Sequence, residues 1–236
     1  MNRYTDAVSV DQYSYSVPQC DWTENWSRYI IDISKDTCRT AHSYGVMVDA
    51  LSARDAANGR RQAVFNSIEN TSPYRATKDH HDVSGAQIEG AAMSSSIHGA
   101  RGIVWFNQQF EGSCSSGNFF RRAQVEPSGC AAANTAAARH VNRLVQQLAP
   151  VLNTQSSAWR FGDRVDTMLK VKDGYAYVFA MTDGTSGTRT FTLPGGLRGG
   201  SVEVVGEGRT LPISSGRFSD TFAHEWSYHV YRVPLA

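Results

Sequence analysis

Two patterns of apolar and polar positions alternate along the first two thirds of the chain. Short apolar runs predict buried strands, and each is followed by a stretch with apolar positions three and four residues apart, which predicts a helix. The predicted strands cover residues 7–10, 62–68 and 102–107, and the predicted helices cover residues 36–58, 84–98 and 131–148. Pro150 is predicted to mark the end of the last helix. Strands that alternate with helices indicate a parallel sheet, so the predicted fold class of this part is α/β.

The connections in this part differ in length between the two edges of the predicted sheet. Helix-to-strand connections are only a few residues long, whereas the strand-to-helix connections span residues 14–35, 70–83 and 109–130. Long loops inside a compact domain are usually functional. All three follow the carboxyl ends of strands, where barrels and open parallel sheets hold their active sites. The sequence therefore predicts a functional site at this edge.

The apolar pattern changes to a period of two after residue 153. Strands are predicted at residues 165–171, 175–181, 188–193, 201–205 and 226–233, and Lys172-Asp173-Gly174 predicts a hairpin turn. Short strands at such spacing are typical of an antiparallel β-sandwich. We therefore predict two domains, a partial (β/α) barrel of residues 1–153 and a sandwich of residues 160–236.

Composition and charge exclude several classes of protein. Of the 236 residues, 41% are hydrophobic and 19% are charged, which are values of a folded globular chain. The formal net charge of +1 argues against a dedicated nucleic-acid binder, which would show a basic face. No apolar run is long enough to predict a membrane span.

The four cysteines fall into two local pairs, Cys20 with Cys38 and Cys114 with Cys130. Disulfides in both pairs would close loops rich in turn residues, and they would indicate an oxidising, extracellular setting. Four free thiols are the alternative. The chain has no CxxC or HxxxH spacing of the kind that zinc sites use, so we expect no metal and no cofactor.

Two carboxylates follow predicted strands at the functional edge. Glu69 comes directly after the second strand and is the leading candidate for a catalytic nucleophile. The alternative for Glu69 is a carboxylate that links strand ends by hydrogen bonds. Asp11 follows the first strand and is a weaker catalytic candidate, with loop capping as its alternative.

Aromatic and amide side chains near the same edge suit a carbohydrate. Aromatic rings pack against the apolar face of a pyranose, and amides orient sugar hydroxyls. The candidate substrate-binding residues are Tyr13, Tyr15, Trp22, Trp105, Asn107 and Gln108. The alternative for Trp105 is a core position, and the alternative for the two amides is hydrogen bonding to loop backbone groups.

Several stretches resemble TIM-barrel glycoside hydrolases. Residues 63–69 (AVFNSIE), 97–107 (IHGARGIVWFN) and 148–153 (LAPVLN) resemble the last barrel strands, and residues 175–180, 202–209, 218–222 and 228–231 resemble the accessory β-domain that often follows. The resemblance implies that the three strands are strands six to eight of a (β/α)8 barrel and that Glu69 is the nucleophile on strand seven. The acid/base carboxylate of that family lies on strand four, which this chain does not contain. The barrel-plus-sandwich arrangement is also similar to minor tail proteins of actinobacterial phages.

These observations predict a glycoside-hydrolase-like protein that acts on polysaccharide or cell-envelope glycan, in an extracellular setting or on a virion surface. The protein is predicted to be an enzyme if the missing barrel half is supplied by an upstream segment or by another chain. The alternative is a non-catalytic carbohydrate-binding or phage-tail structural protein with virion neighbours. A small open α/β sheet covered by the sandwich remains a further alternative for the fold.

Overall fold

The computed structural model describes the chain except for residues 1–4, 17–32, 58, 73–81, 110–113, 115–116, 198 and 236. The chain forms two compact units, residues 1–141 and residues 142–236. The division falls inside a helix, whereas the sequence pattern places it at residues 153–160.

The first unit follows the predicted order of strands and helices. Its strands are β1 (Ala7–Asp11), β2 (Ala63–Ser72) and β3 (Gly102–Gln109). Its helices are α1 (Lys35–Cys38), α2 (His42–Ala57), α3 (Gly85–Ile97), α4 (Phe119–Val125) and the beginning of α5 (Ala132–Leu152). Ser84 caps α3 by accepting a hydrogen bond from the Gln87 backbone N–H, and the Gln87 side chain completes the capping box.

Three boundaries differ from the prediction. Strand β2 extends to Ser72, so Glu69 lies inside its carboxyl-terminal part and not after it. The first predicted helix is two helices, α1 and α2, with a break at residues 39–41. Pro150 lies inside α5, which continues to Leu152, so its predicted role as a stop is wrong. Proline has no backbone N–H and cannot donate to the carbonyl four residues earlier. Only two residues of α5 follow Pro150, so the missing hydrogen bond affects only the last turn of the helix.

The three strands form a parallel sheet in the order β1-β2-β3. Phe65, Ser67 and Glu69 of β2 pair with Gly102, Val104 and Phe106 of β3, and Asp11 of β1 pairs with Ser67. Side chains alternate between the two faces of a sheet, so this register determines which residues share a face. We call the face of Ser67 and Glu69 the open face, because on it Phe65 and Val104 are 36% and 44% exposed.

The other face of the sheet is covered by helices. Helices α2 and α3 pack against β2. The amide of Asn66 donates to the Tyr44 carbonyl of α2 and to the Ser95 hydroxyl of α3, at 3.1 and 2.8 Å. These bonds identify the covered face. Apolar residues buried in this unit include Val10, Val64, Ile68, Tyr44, Val48, Ile88, Ala91 and Ala92.

The second unit is an antiparallel β structure. Its strands are β4 (Ser156–Ser157), β5 (Val165–Lys172), β6 (Tyr175–Thr182), β7 (Gly187–Thr192), β8 (Ser201–Val204), β9 (Arg209–Pro212), β10 (Arg217–Phe222) and β11 (Tyr228–Pro234). Strands β4-β5-β6-β11-β8-β9 form one sheet, and β10-β7 form a second, two-stranded sheet. The predicted hairpin turn between β5 and β6 is confirmed, because Asp173 and Gly174 both have positive φ, as a type I′ turn requires.

Alternating side chains of both sheets build one apolar core in this unit. The core includes Phe161, Val178, Phe191, Val202, Phe218, Phe222 and Tyr231. The rings of Phe191 and Phe218 stack across the β7–β10 pair, with centroids 4.8 Å apart. Strands β4, β9 and β10 were not predicted as strands, although the mixed α/β and antiparallel character of the chain was.

Among the described residues, no helix combines the length and apolar character that a membrane span requires.

Candidate functional site

The chain leaves β1 just before it would cover Glu69. Strand β1 ends at Asp11, which pairs with Ser67, and Glu69 lies two residues further along β2. Residues 14–16 form a turn at this level. The backbone N–H groups of that turn are therefore available to the side chain that rises from β2.

The Glu69 carboxylate accepts hydrogen bonds on both oxygens. The Tyr15 N–H donates to Oε1 at 2.6 Å, and the Ser16 N–H donates to Oε2 at 3.0 Å. The Ser16 hydroxyl also donates to Oε2, and the Tyr44 hydroxyl donates to Oε1. Glu69 is 1% exposed. The carboxylate thus joins β2, the turn after β1 and helix α2 in one buried network.

Burial and hydrogen bonding act in opposite directions on this carboxyl group. Burial raises the pKa of Glu69, and the hydrogen bonds from Ser16, Tyr44 and Tyr15 partly offset that shift. Burial and the neighbouring Glu69 raise the pKa of the Tyr44 hydroxyl, which therefore stays protonated and acts as a donor. The geometry provides a carboxyl group that holds its proton more strongly than an exposed glutamate does.

The turn that covers Glu69 is itself attached to α2. The Gln12 amide donates to the Ser14 hydroxyl at 3.0 Å, and the Ser43 hydroxyl lies 3.0 Å from the same oxygen. Ser43 is the second residue of α2, and its hydroxyl also lies 2.8 Å from the Thr40 carbonyl. Small hydroxyl side chains allow the turn and the helix to approach closely, which holds the donors of residues 15 and 16 in place.

Four other polar or aromatic residues lie on the open face at this edge. Asp11 is exposed, and the Tyr13 hydroxyl donates to its Oδ2 at 3.0 Å. Burial and Asp11 raise the pKa of Tyr13, whose ring packs edge-on against Phe106 with centroids 5.1 Å apart. Gln108 pairs with Thr71, two residues beyond Glu69, and therefore shares this face. The open face thus combines a carboxylate, a phenol, a phenyl ring and an amide.

Trp105 and Asn107 lie on the covered face. Trp105 pairs with Ile68 and Asn107 pairs with Asn70, one residue out of phase with Glu69. The Asn70 amide donates to the Asn107 side-chain oxygen at 2.7 Å, and the Asn107 amide donates to the Trp105 carbonyl at 3.1 Å. The sequence grouped both residues with Glu69, and the register corrects that grouping. The backbone group that Asn107 contacts belongs to strand β3, whereas its predicted alternative was a bond to a loop backbone group.

Of the two remaining predicted binding residues, the structure describes Tyr15 but not Trp22. Tyr15 is 4% exposed, and its ring stacks on Tyr44 with centroids 6.0 Å apart. Its backbone, and not only its ring, therefore serves the site. Trp22 lies outside the described residues, as do most residues of the first two long strand-to-helix connections and residues 110–113 and 115–116 of the third.

One predicted disulfide is described completely. Cys114 and Cys130 are bonded across a sequence separation of 16 residues, which confirms that pairing. Cys38 is also disulfide-bonded. Its predicted partner, Cys20, lies outside the described residues. The Cys114–Cys130 bond encloses α4, and it lies next to the end of β3, where the Gln109 N–H donates to the Gly117 carbonyl at 2.9 Å.

Sequence reasoning missed several residues of this edge. Tyr44 reads as one apolar position of a helix, yet its hydroxyl reaches Glu69. Asn134 of α5 donates to Asn70 at 2.9 Å and to the Val83 carbonyl at 2.6 Å. Within the described residues, the buried amide of Gln109 has no hydrogen-bond partner. The available signal was the run of polar residues that continues the apolar strand at positions 69–72.

A cavity of about 630 Å³ lies at the opposite edge of this unit. Its walls include Asp55, Arg61 and Arg101 near the amino ends of β2 and β3. Asp55 accepts a hydrogen bond from the Gln62 N–H at 2.8 Å. In (β/α) folds the amino ends of the strands serve stability and the carboxyl ends carry chemistry. The candidate site is therefore the edge with Glu69.

Comparison with known proteins relates the fold to carbohydrate-active enzymes. No family model matches the chain, and no curated protein matches it with statistical significance. Among solved structures, a variant of AmyP in complex with maltotriose is 9% identical, with 83% of this chain and 49% of that chain covered and a TM-score of 0.52. The noncanonic maltogenic α-amylase AmyB from Thermotoga neapolitana is 10% identical, with 100% and 52% covered and a TM-score of 0.51.

A third solved structure agrees. The α-amylase from Geobacillus thermoleovorans, complexed with acarbose, is 11% identical, with 96% and 52% covered and a TM-score of 0.50. At these identities the similarity shows the fold: this chain has a glycoside-hydrolase-like fold. It spans about half the length of the solved chains that it matches. These structures lend no support to the phage-tail resemblance.

Proposed function

We propose that this chain is part of a glycoside hydrolase that acts on polysaccharide at the carboxyl edge of its parallel sheet. The observation that carries the proposal is the pair of carboxyl groups on one face of that edge, Glu69 and Asp11, in a glycoside-hydrolase-like fold. Because the structural neighbours are complexed with maltotriose and acarbose, α-linked glucan is the first substrate to test. Cell-envelope glycan is the second.

In this proposal Glu69 is the nucleophile. The N–H groups of Tyr15 and Ser16 stabilise its ionised form, as does the Tyr44 hydroxyl, while burial opposes ionisation. Asp11 is exposed on the same face and is the candidate within this chain for the acid/base group. A retaining mechanism needs two carboxyl groups on opposite sides of the glycosidic bond, so a carboxylate from further strands would take that role if Asp11 does not.

The sheet supports the proposal that further strand–helix units complete it. Strands β1 and β3 are the outer strands of the three-stranded sheet. Phe65 and Val104 are exposed on the open face. Exposed apolar side chains on a sheet face, next to unpaired strand edges, indicate a surface that another element covers. We propose that units from an upstream segment, or from a second chain, pair with these outer strands and cover the open face. Similar solved chains have about twice this length.

Hydrolysis by the complete assembly tests the catalytic proposal. We would measure product release from soluble starch, maltooligosaccharides and peptidoglycan by the native protein as isolated from its source. Glu69→Gln is expected to lower kcat by several orders of magnitude, because the covalent step has no substitute. Glu126→Gln is the matched control, since Glu126 is exposed and pairs with Arg122 on α4.

The results separate mechanism from folding. Asp11→Asn changes an exposed residue, so a loss of turnover in a protein with unchanged thermal unfolding assigns Asp11 a chemical role. Undiminished turnover in Glu69→Gln would remove Glu69 from the mechanism.

One observation favours a second function, non-catalytic carbohydrate binding. Glu69 is almost fully buried, and both of its oxygens accept hydrogen bonds from the chain itself. In this second function the carboxylate holds the turn at residues 14–16. Glycan binding without product release, unchanged in Glu69→Gln and weakened in Tyr13→Ala, would establish this alternative, and a virion structural role would belong to it. Tyr13 is chosen because its ring packs against Phe106 at the same edge.

We also propose an extracellular location. The bonded cysteines Cys38, Cys114 and Cys130 support it, because disulfides persist mainly in oxidising compartments. Mass spectrometry of the native protein with and without reductant tests it. Two bridges predict a mass gain of four hydrogens on reduction. An unchanged mass would mean that all four cysteines are free thiols and would contradict the proposal.

A further inference from the structure

Trp159 of the second unit exposes a large part of its ring. It is 43% exposed, whereas Phe161, two residues later, is 1% exposed and lies in the sandwich core. Tryptophan is usually mostly buried, because its ring is the largest apolar surface that a side chain offers. An exposed tryptophan in a β unit with a complete core is available to an external ligand.

The indole ring is held in one orientation. Its Nε1–H donates to the Thr192 carbonyl at 2.9 Å, and the Thr192 N–H donates to the Phe161 carbonyl at 2.6 Å. Both backbone groups of Thr192, at the end of β7, therefore fix the segment of residues 159–161. A ring fixed before binding loses little conformational entropy when a ligand stacks on it.

A row of hydroxyl groups follows β7 and β10 away from Thr192. The Thr190 and Ser219 hydroxyls lie 2.9 Å apart, and the Thr188 and Thr221 hydroxyls also lie 2.9 Å apart. These residues are exposed. In β10 they alternate with buried residues, and in β7 they alternate with partly buried Arg189 and buried Phe191. A hydroxyl has one donor and two acceptor positions, so each pair keeps capacity for further hydrogen bonds.

The net charge of this surface is small. Beside the ring, the exposed Arg160 and Asp163 form an ion pair with each other. The outward residues of β7 and β10 are threonines and a serine apart from Arg217, which pairs with Thr192. No carboxylate occupies an outward position of either strand. The Trp159 ring is hydrogen-bonded to the Thr192 carbonyl, at the end of the strand that carries the hydroxyl row. A ring next to such a row suits a chain of neutral pyranoses, whose C–H faces pack on the ring while their hydroxyls pair with the row.

We infer that Trp159 and the β7–β10 hydroxyl row form a surface site for a neutral polysaccharide chain, separate from the edge with Glu69. The inference takes its class of ligand, polysaccharide, from the proposed function, whereas the site itself is argued from the residues of the second unit alone. Its role is to hold the polymer, because the outward positions of β7 and β10 carry no carboxylate.

Affinity electrophoresis of the full chain tests the site. Native gels containing soluble starch, β-glucan or no polysaccharide measure retardation without requiring turnover. Trp159→Ala is expected to weaken binding about tenfold, a loss of roughly 1.4 kcal/mol, whereas Trp159→Phe keeps part of the stacking. Trp226→Ala is the matched control, because the Trp226 ring of the same unit stacks on His224, with centroids 4.7 Å apart.

A second variant tests the hydroxyl row without changing the ring. Thr190→Val combined with Ser219→Ala keeps the strands and removes one hydroxyl pair, and it is expected to weaken retardation. Retention of the wild-type retardation by Trp159→Ala would overturn the inference, and so would the absence of retardation in both polysaccharides. Retardation that depends on Trp159, in a protein that releases no product from the same polysaccharide, would support this site even where the catalytic proposal fails.

Discussion

The hydroxyl of Tyr44 donates a hydrogen bond to Oε1 of Glu69, and the two residues are 25 positions apart in the sequence. This bond joins helix α2 to strand β2 at the carboxyl edge of the sheet. Both groups are fully buried, so neither can replace the bond with water. The pair decides how the edge responds to mutation and to pH.

Tyr44→Phe removes this donor and keeps the ring. The buried carboxylate then lacks one partner, and we expect the free energy of unfolding to fall by about 1–3 kcal/mol. Urea unfolding measures the change. Tyr13→Phe is the matched control, because the Tyr13 hydroxyl pairs with exposed Asp11 and its loss should cost less. Equal effects of the two variants would contradict the buried role of Tyr44.

The raised pKa of Glu69 makes the first unit less stable as the pH rises. The folded protein holds this proton above the ordinary carboxyl pKa of 4.5, where the unfolded chain releases it. The folded state therefore binds more protons in that range, and the free energy of unfolding falls as the pH rises through it. Hydrogen exchange of β2 amides between pH 4 and 8 measures the trend, and Glu69→Gln should flatten it. A wild-type profile that rises with pH would contradict the assignment.

The two sheets of the second unit are joined by an ion pair between Arg209 and Asp220. The Arg209 guanidinium donates to both Asp220 oxygens, at 2.9 and 2.7 Å, and the Tyr231 hydroxyl donates to Asp220 at 3.0 Å. Arg209→Met leaves this buried carboxylate short of its main partner, with an expected loss of about 2–3 kcal/mol. Arg232→Met is the control, because its ion pair with Glu203 is exposed and should contribute less than about 1 kcal/mol. Equal losses in urea unfolding would disprove the distinction.

Helices α2 and α3 approach so closely at Gly45 that a side chain there would overlap His98. An ideal Cβ at position 45 would lie 2.2 Å from Cδ2 of His98, whose Nδ1 is 2.7 Å from Asp49. Gly45→Ala should therefore cost about 1–3 kcal/mol. In a His98→Ala background the overlap disappears, and the same Gly45→Ala substitution should be neutral or stabilising, because alanine favours helices. A double-mutant cycle of thermal unfolding measures this coupling, and additive effects would contradict the contact.

The Cys114–Cys130 bond closes a loop of 16 residues around α4. Its removal by Cys114→Ser with Cys130→Ser should lower the free energy of unfolding by about 3 kcal/mol, chiefly by freeing the unfolded chain. Urea unfolding of the double variant against wild type measures this loss. Reductant should lower the stability of the wild type and leave that of the double variant less affected, because only the Cys38 bond then remains to be reduced. A double variant as stable as wild type would show that the bond is dispensable.

Local pattern determined much of this fold. The strands predicted at 7–10, 62–68 and 102–107 form with extended carboxyl ends, and the helix after Ser84 and the hairpin at Asp173 also form. All of them follow from periodicity, caps and turn residues, which act over a few positions. The Cys114–Cys130 pair also follows from local spacing. Strand β9 escaped prediction because it has only four residues, and strand β10 because four of its six residues are polar.

Only the tertiary structure decided which residues share the candidate site. Glu69 and Trp105 each lie near the end of a strand, but the register between β2 and β3 places them on opposite faces of the sheet. Register depends on hydrogen bonds between segments far apart in the sequence, so no single strand reveals it. The burial of Glu69 under Tyr15, Ser16 and Tyr44 also depends on contacts between segments that are far apart in the sequence. The sequence thus determined that a carboxylate stands at this edge, and long-range packing determined that the chain itself covers it.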